Sequence, residues 1–361
     1  MAVTTADRQL HLMDTASPSL PVVVTYSTFF DSPVLDVLVV KQKYLLFASM
    51  SGKLLLYDTE AEHILEARKD HSKYLVKLAA WSEGTSSIIA SAGWDAKVFL
   101  YRVRTNDPSD VRLGEPIATL TLSSIPETLL FFQSPDTGRP ILLLTRRDST
   151  FLYYYTVTQS DSPASQIHLI GRQNLAPHSN AWIAFTPSDV QLSPVVPLLV
   201  AVATSSTPHM KLQIVRLLLP PEEDRGGDTV HSTDNDELTQ ASQTRADILL
   251  QDREEAAIII NVSTMAPQTA YSTPRLVWRP DGSGVYVSSD DGVVRGFEAT
   301  TGKQTATLKA HDAGSKLRCL WAGYLKTGPT ENPHTNRGEE HLISGGFDQK
   351  LILWNVAENG N

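Results

Sequence analysis

SAGWDAKVFLYRV (residues 91–103) and SGGFDQKLILWNV (residues 344–356) follow one plan: a serine, then an aromatic residue paired with aspartate, then an apolar run. Turn-forming residues ahead of an alternating or continuous apolar run read as a tight corner feeding a β-strand. The same plan can be laid over five further segments: ADRQLHLMD from Ala6, MSGKLLLYD from Met50, RDSTFLYYY from Arg147, PHMKLQIVR from Pro208 and DDGVVRGFE from Asp290. Each copy pairs a turn residue with a residue six positions later, usually aromatic. The pairs are Asp7 and Met13, Ser51 and Tyr57, Asp95 and Tyr101, Asp148 and Tyr154, His209 and Val215, Asp291 and Phe297, and Asp348 and Trp354. Successive turn positions lie 44, 44, 53, 61, 82 and 57 residues apart. The shorter periods suggest units of four short strands, and the longer ones carry insertions. Between these runs stand Gly, Pro, Asn, Asp and Ser, and no long amphipathic helical pattern interrupts them, so the chain is expected to be all-β.

The two stretches quoted first resemble the turn-and-strand signatures of the WD-repeat (WD40) family. The resemblance covers nearly the whole chain apart from an acidic insert, and it implies a WD40 β-propeller of about seven repeats, a toroid of four-stranded blades. DHSKYLVKLAAW (residues 70–81), followed by the Trp94 segment, further resembles fungal proteins that join a LisH dimerisation module to a WD-repeat domain; no LisH segment is present in this sequence. In the WD-repeat family a His before the first strand, a Ser or Thr on the second, the turn Asp and the Trp of the third form a buried hydrogen-bonded tetrad. The resemblance assigns His71, Ser91, Asp95 and Tyr101 to one such set, with tyrosine replacing tryptophan, and His311, Ser344, Asp348 and Trp354 to another. A His beside an Asp and a Ser also describes a hydrolase triad, but this spacing assigns the groups to one another as mutually satisfied structural partners.

Both ends of the repeat are short of a full unit. Only a few residues precede the first turn, LPVVVTYS (residues 20–27) supplies that unit's outer strand, and only NVAENGN follows Trp354. The expectation is six well-formed blades plus an incomplete terminal blade, its two innermost strands lying upstream of Met1 in a truncated chain. Its strand edges would be exposed and melting would begin there.

A single propeller is therefore expected over residues 1–361, with two insertions. Residues 220–256 carry eleven acidic and three basic side chains, which accounts for −8 of the net charge of −9. Few aromatics and a strong charge bias read as a solvated, mobile insertion to which a basic partner could dock. Residues 326–340, KTGPTENPHTNRGEE, read as a polar loop. The remainder of the chain is nearly neutral, so no nucleic-acid partner is expected. No apolar run is long enough to span a bilayer, and no membrane contact is expected. One cysteine, Cys319, and no secretory signal point to the cytoplasm or nucleus.

Motifs for chemistry are missing. The sequence has no phosphate-binding Gly-rich loop, no zinc-protease helix motif, no nucleophile elbow, no EF-hand series and no paired cysteines. No catalytic residue, metal ligand or cofactor is assigned, and the chain is read as a non-enzyme. Asp290-Asp291-Gly292 reads as a turn rather than a calcium loop. Asn261-Val262-Ser263 fits a glycosylation sequon, which without an export signal reads as accidental. Cys319, in the alternating run LRCLWAGY, is expected to be a small buried residue.

Residues just before the turn positions should share one face of the ring, since every unit sets its turn at the same height. Trp94 and Phe347 are large apolar groups at such tips, and Arg146 and Arg147 add positive charge. Aromatics and arginine dominate interface hot spots. Trp94, Arg146, Arg147 and Phe347 are thus the candidate contacts for one or more protein or peptide partners. The leading expectation is a non-catalytic scaffold or adaptor. Two alternatives are a substrate receptor of a cullin-type ubiquitin ligase, from the imperfect match of Tyr101-Arg102-Val103-Arg104 to the arginine motif of such receptors, and an enzyme with its site in the central channel.

Overall fold

The structure is a computed structural model that describes all residues except 16, 18, 27–29, 105–110, 158–166, 182–183, 221–239, 326–338 and 356–361; the side chains of 104 and 241 are likewise outside it. It is an all-β ring of seven small antiparallel sheets. The first comprises β1 (Ala2–Thr4), β2 (Leu10–Met13) and β3 (Val22–Tyr26), and the second β4 (Val34–Val40), β5 (Tyr44–Ser49), β6 (Leu54–Asp58) and β7 (His63–Arg68). The third holds β8 (Leu75–Glu83), β9 (Ser86–Gly93), β10 (Lys97–Arg104) and β11 (Ala118–Thr121). The fourth holds β12 (Pro126–Gln133), β13 (Pro140–Arg146), β14 (Phe151–Val157) and β15 (Ile167–Asn174). In the fifth, β16 (Pro187–Leu192), β17 (Leu199–Thr204) and β18 (His209–Arg216) are joined by β19 (Ile258–Pro267) after a helix, α1 (Gln240–Ala257). The sixth is β20 (Leu276–Trp278), β21 (Gly284–Val287), β22 (Val293–Glu298) and β23 (Gln304–Lys309), and the seventh β24 (Leu317–Leu325), β25 (Glu339–Gly346) and β26 (Leu351–Asn355).

Each sheet is a meander whose strands pair in chain order. Where a four-stranded sheet follows another, the first strands touch each other, which places them innermost, around the axis. Five of these inner strands, all but β20, begin with a bulge, between Val34 and Asp36, Leu75 and Lys77, Pro126 and Thr128, Pro187 and Asp189, and Leu317 and Cys319. A bulge adds a residue and sharpens the twist, which suits a strand that must start at a crowded rim.

The core is seven separate apolar clusters, one between each pair of neighbouring sheets. Leu10 meets Phe47 and Tyr57 between the first and second sheets, and Leu46 and Leu56 meet Leu75 and Ile89 between the second and third. The later joints follow the same rule. At the last joint Leu20 of the first unit packs against Leu325 and Ile343 of the seventh, with Met1, Met13, Leu351 and Leu353 at its edge. The ring is therefore closed by side-chain packing. The expected incompleteness at the ends of the repeat is present, and side-chain packing closes the ring across it. Five sheets have four strands and both terminal sheets have three among the described residues. Ala2–Thr4 supplies an inner strand of the first sheet by pairing with Leu10–Leu12.

The repeat residues occupy β2 of the first sheet and the third strand of every other, with one exception to the constant spacing. Met13, Tyr57, Tyr101, Val215, Phe297 and Trp354 all pack toward the preceding sheet. Tyr154 packs toward the following one, whereas its neighbour Tyr153 faces back toward the third sheet. Backbone dihedrals locate the slip. A left-handed residue follows the turn residue at Arg8, Gly52, Ala96, Gly292 and Gln349, but in the fourth sheet it is Asp148 itself. The fourth copy thus pairs Arg147 with Tyr153, one residue earlier than the spacing suggests, and a one-residue slip in a strand turns every side chain over.

The acidic insertion is not disordered throughout. From residue 240 onward it is the helix α1, because QASQTRADILLQDREEAA is rich in strong helix formers and free of Gly and Pro. Glu254, buried in this helix, accepts the backbone N–H of Asn174 at 2.7 Å and fastens α1 against β15. Residues 221–239 and most of the 326–340 loop, up to 338, lie outside the described residues; Glu339 and Glu340 already belong to β25.

Candidate functional site

The two predicted tetrads differ in one member. In the seventh sheet the chain is complete and runs in one direction. Trp354 Nε1–H donates to Ser344 Oγ at 2.8 Å, Ser344 Oγ lies 2.8 Å from His311 Nε2, and His311 Nδ1 lies 2.9 Å from Asp348 Oδ2. Asp348 then accepts the backbone N–H of Asp312 at 3.0 Å. The neutral imidazole with its proton on Nδ1 satisfies every group: serine donates to Nε2, and the ring donates to the carboxylate. In the third sheet His71 lies 2.9 Å from both Asp95 Oδ1 and Ser91 Oγ. Tyr101 does not simply replace tryptophan there. Its hydroxyl donates to Asp70 Oδ2 at 2.9 Å, and Arg68 grips the same carboxylate through two nitrogens.

These groups are structural in their electrostatics. Burial pushes the His71 imidazole below its ordinary pKa, against the pull of the Asp95 hydrogen bond. Burial alone would raise Asp95, but hydrogen bonds from His71, Ser72 N–H and Lys97 N–H outweigh it and hold the carboxyl below its usual range. Ser91 and Ser344 are 0% exposed and His71 2%, so these hydroxyls and the imidazole meet one another rather than solvent. Asp291, in the turn once weighed as a calcium loop, is held by both Arg295 nitrogens, and Asp290 by Lys316 and Ser272. Among the described residues no group of three or more His, Cys, Asp or Glu is placed to hold a metal ion. No helix among them is long and apolar enough to cross a membrane.

The corners between second and third strands share one face, and the candidate contact residues divide there into separate groups. Trp94 remains 37% exposed, with the Tyr74 ring 4.9 Å from it and the Arg147 guanidinium 5.4 Å above it. Arg147 is tied in turn to Glu127 on β12. Arg146 is turned away from this group: it donates to the Tyr153 hydroxyl at 2.7 Å and lies over that ring. Phe347 is 65% exposed on the seventh sheet, with Arg318 at 4.8 Å over its face. Two aromatic–guanidinium pairs, Trp94 with Arg147 and Phe347 with Arg318, thus stand apart on this face. Arg104 of the ligase-receptor motif has its side chain outside the described residues.

Several residues escaped the sequence. The inner-strand ends carry Lys77 on β8, Asp189 on β16, Arg275 just before β20 and Arg318 on β24. Asp189 Oδ2 accepts the Leu276 N–H at 3.0 Å, while Lys77 and Arg275 face its other oxygen at 3.6 and 3.8 Å. A charged residue within an otherwise apolar first strand, as in LVKLAA and SDVQL, was the available signal. Cys319 is also corrected. It is exposed rather than buried, although protein packs closely enough around its thiol that desolvation raises its pKa.

With this geometry in place, the chain can be compared with known proteins. A family model described as UCP007778, beta-propeller domain, matches residues 4–322. The chain belongs to that family. Among solved structures, a chain of the "Crystal Structure of Mitotic Checkpoint Complex" is similar, with a TM-score of 0.59 over 98% of this chain and 86% of that one, at 14% identity. The likeness is one of fold: seven sheets about an axis, an architecture often used as a platform for protein interactions. A search of curated proteins gave no match.

Proposed function

We propose that this member of the UCP007778 β-propeller family is a non-catalytic scaffold of the WD-repeat type, binding proteins or peptides across the face that bears the corners between second and third strands. The observation that carries this reading is the exposure of Trp94 and Phe347, each under a guanidinium, on a rigid rim. A large apolar side chain gains nothing from water, and an aromatic with a cation above it is the kind of residue that anchors a partner. The turns that hold these side chains are braced by the buried His–Asp pairs beneath them, so the contact geometry is preorganised. A reducing compartment, cytoplasm or nucleus, suits a chain with one cysteine.

Affinity capture of the full chain and of Trp94→Ala and Phe347→Ala variants, read by quantitative mass spectrometry, tests this. Proteins recovered with the parent should be depleted at least tenfold with the variants while melting temperatures stay within a degree or so. Unchanged recovery with both variants would overturn the reading.

A further inference from the structure

The inner-strand ends form a cationic mouth to the channel, assembled from three sheets. Lys77 comes from the third, Arg275 from the entrance to the sixth and Arg318 from the seventh. Asp189, the shared neighbour of Lys77 and Arg275, lies on the fifth sheet and is 1% exposed. Lys77 reaches it past the fourth sheet. Asp189 Oδ1 makes no hydrogen bond, since Lys77 and Arg275 stop at ion-pair distances beyond it. Among the described residues neither side chain has another acceptor, so their N–H donors make no hydrogen bond. Arg318 is held by Thr273 and by the Phe347 ring, and burial together with the repulsion of Arg275 makes its charge harder to keep. Asp290 offsets this in part, but it is already shared with Lys316 and Ser272.

Two cations therefore face one fully buried carboxylate, with Arg318 close enough to Arg275 to repel it, on a molecule whose total charge is −9. The excess is local and positive, while the acidic insertion leaves the fifth sheet from the end of β18 opposite its corner. A cationic visitor would be repelled by Lys77 and Arg275, and the carboxylates beside them are already paired. A carboxylate could take the idle donors of Lys77 and Arg275 together and relieve their mutual repulsion.

We propose that this mouth receives an acidic side chain of a partner polypeptide, the carboxylate bridging Lys77 and Arg275 while apolar neighbours in the same segment rest on Trp94 or Phe347. This rests on the reading of that face as an interaction surface and adds the chemistry it selects. A polypeptide is favoured over nucleic acid because the cations form a single confined cluster flanked by Asp290 and Glu127, not a stripe able to track a phosphate backbone.

Fluorescence anisotropy of the full chain provides the test. The probes are a short labelled glutamate-rich peptide carrying one tryptophan, the same peptide with every glutamate changed to glutamine, and a labelled oligothymidylate. The acidic peptide should bind at least tenfold more tightly than its glutamine form, and Lys77→Gln and Arg275→Gln should each cost about tenfold. Arg275→Gln serves as the second variant should Lys77→Gln not fold, and Arg275→Lys should keep part of the affinity. Equal binding of the two peptides, or unchanged binding by the folded charge variants, overturns the proposal. So does oligothymidylate binding that rivals the acidic peptide and falls with the same substitutions. Loss of captured partners on Trp94→Ala alongside unchanged binding by Lys77→Gln and Arg275→Gln would leave the interaction face standing and remove only its acidic specificity.

Discussion

A methyl group placed on Gly93 would stand 2.3 Å from the Nδ1 atom of His71. The same hypothetical carbon would meet Asp95 Oδ1 at 2.7 Å, and on Gly346 it would meet Asp348 Oδ1 at 2.8 Å and Ser315 Oγ at 2.9 Å. Both signature stretches thus place a glycine where the imidazole and carboxylate close over the strand. Gly93→Ala and Gly346→Ala should each destabilise by about 1–3 kcal/mol, because a packed site must shift to admit the methyl. Urea midpoints measure this; a midpoint unmoved by either change would contradict the crowding.

Acid should weaken the fold in two steps. His71 has a lowered pKa in the folded state, so below its unfolded value of about 6.5 the unfolded chain takes up a proton that the native chain resists. Its contribution is intact above that pH and declines as pH falls. Asp95 and Asp348 are also lowered, and theirs is present above about 3.8 and lost as pH drops through the folded values. Melting temperature should fall between pH 7 and pH 5, and less steeply in His71→Gln. A flat profile over that range in the parent chain would refute the assignment.

Trp354→Phe removes the indole N–H from Ser344 and keeps most of the ring. The cost should be about 0.5–1.5 kcal/mol, the net value of one hydrogen bond. Asp70→Ala should cost more, about 1–3 kcal/mol, since it leaves the Tyr101 hydroxyl and part of Arg68 without an acceptor. Chemical denaturation of the two variants side by side gives the comparison, and the reverse order would count against the directional chain drawn for the seventh sheet.

Hydrogen exchange should be fastest in the first and seventh sheets. Among the described residues their joint buries Leu20, Leu325 and Ile343, whereas the joint between the second and third sheets buries fourteen. Leu325→Ala should accelerate exchange in β1, β2, β25 and β26 before β13 or β17 respond. Uniform acceleration around the ring would show that the seam has no separate stability.

Elements whose signal is local were readable from the residues. The third strands and their corners follow from a turn residue and an apolar run, and His311, Ser344, Asp348 and Trp354 lie in one hydrogen-bonded chain. What failed was register where a turn residue was unusual: the Asp148 to Tyr154 pairing is one residue late because Arg147 occupies the corner. The channel mouth was hidden for a different reason. Lys77, Asp189, Arg275 and Arg318 are scattered over some 240 residues of sequence and meet only because the ring brings their strand ends together. Composition also misled at α1, where charge bias outweighed in the reading a stretch of good helix formers anchored by Glu254.

Because each apolar cluster joins only two neighbouring sheets, a pull applied on the rim is carried through the joints in series. The first joint to part is then the one with the fewest interlocked side chains, whichever sheet is gripped. A ligand that spans Leu20 and Leu325 would act as a clasp on the whole circle. One that wedges them apart would turn the closed disc into a string of seven segments held by six joints, with two free ends.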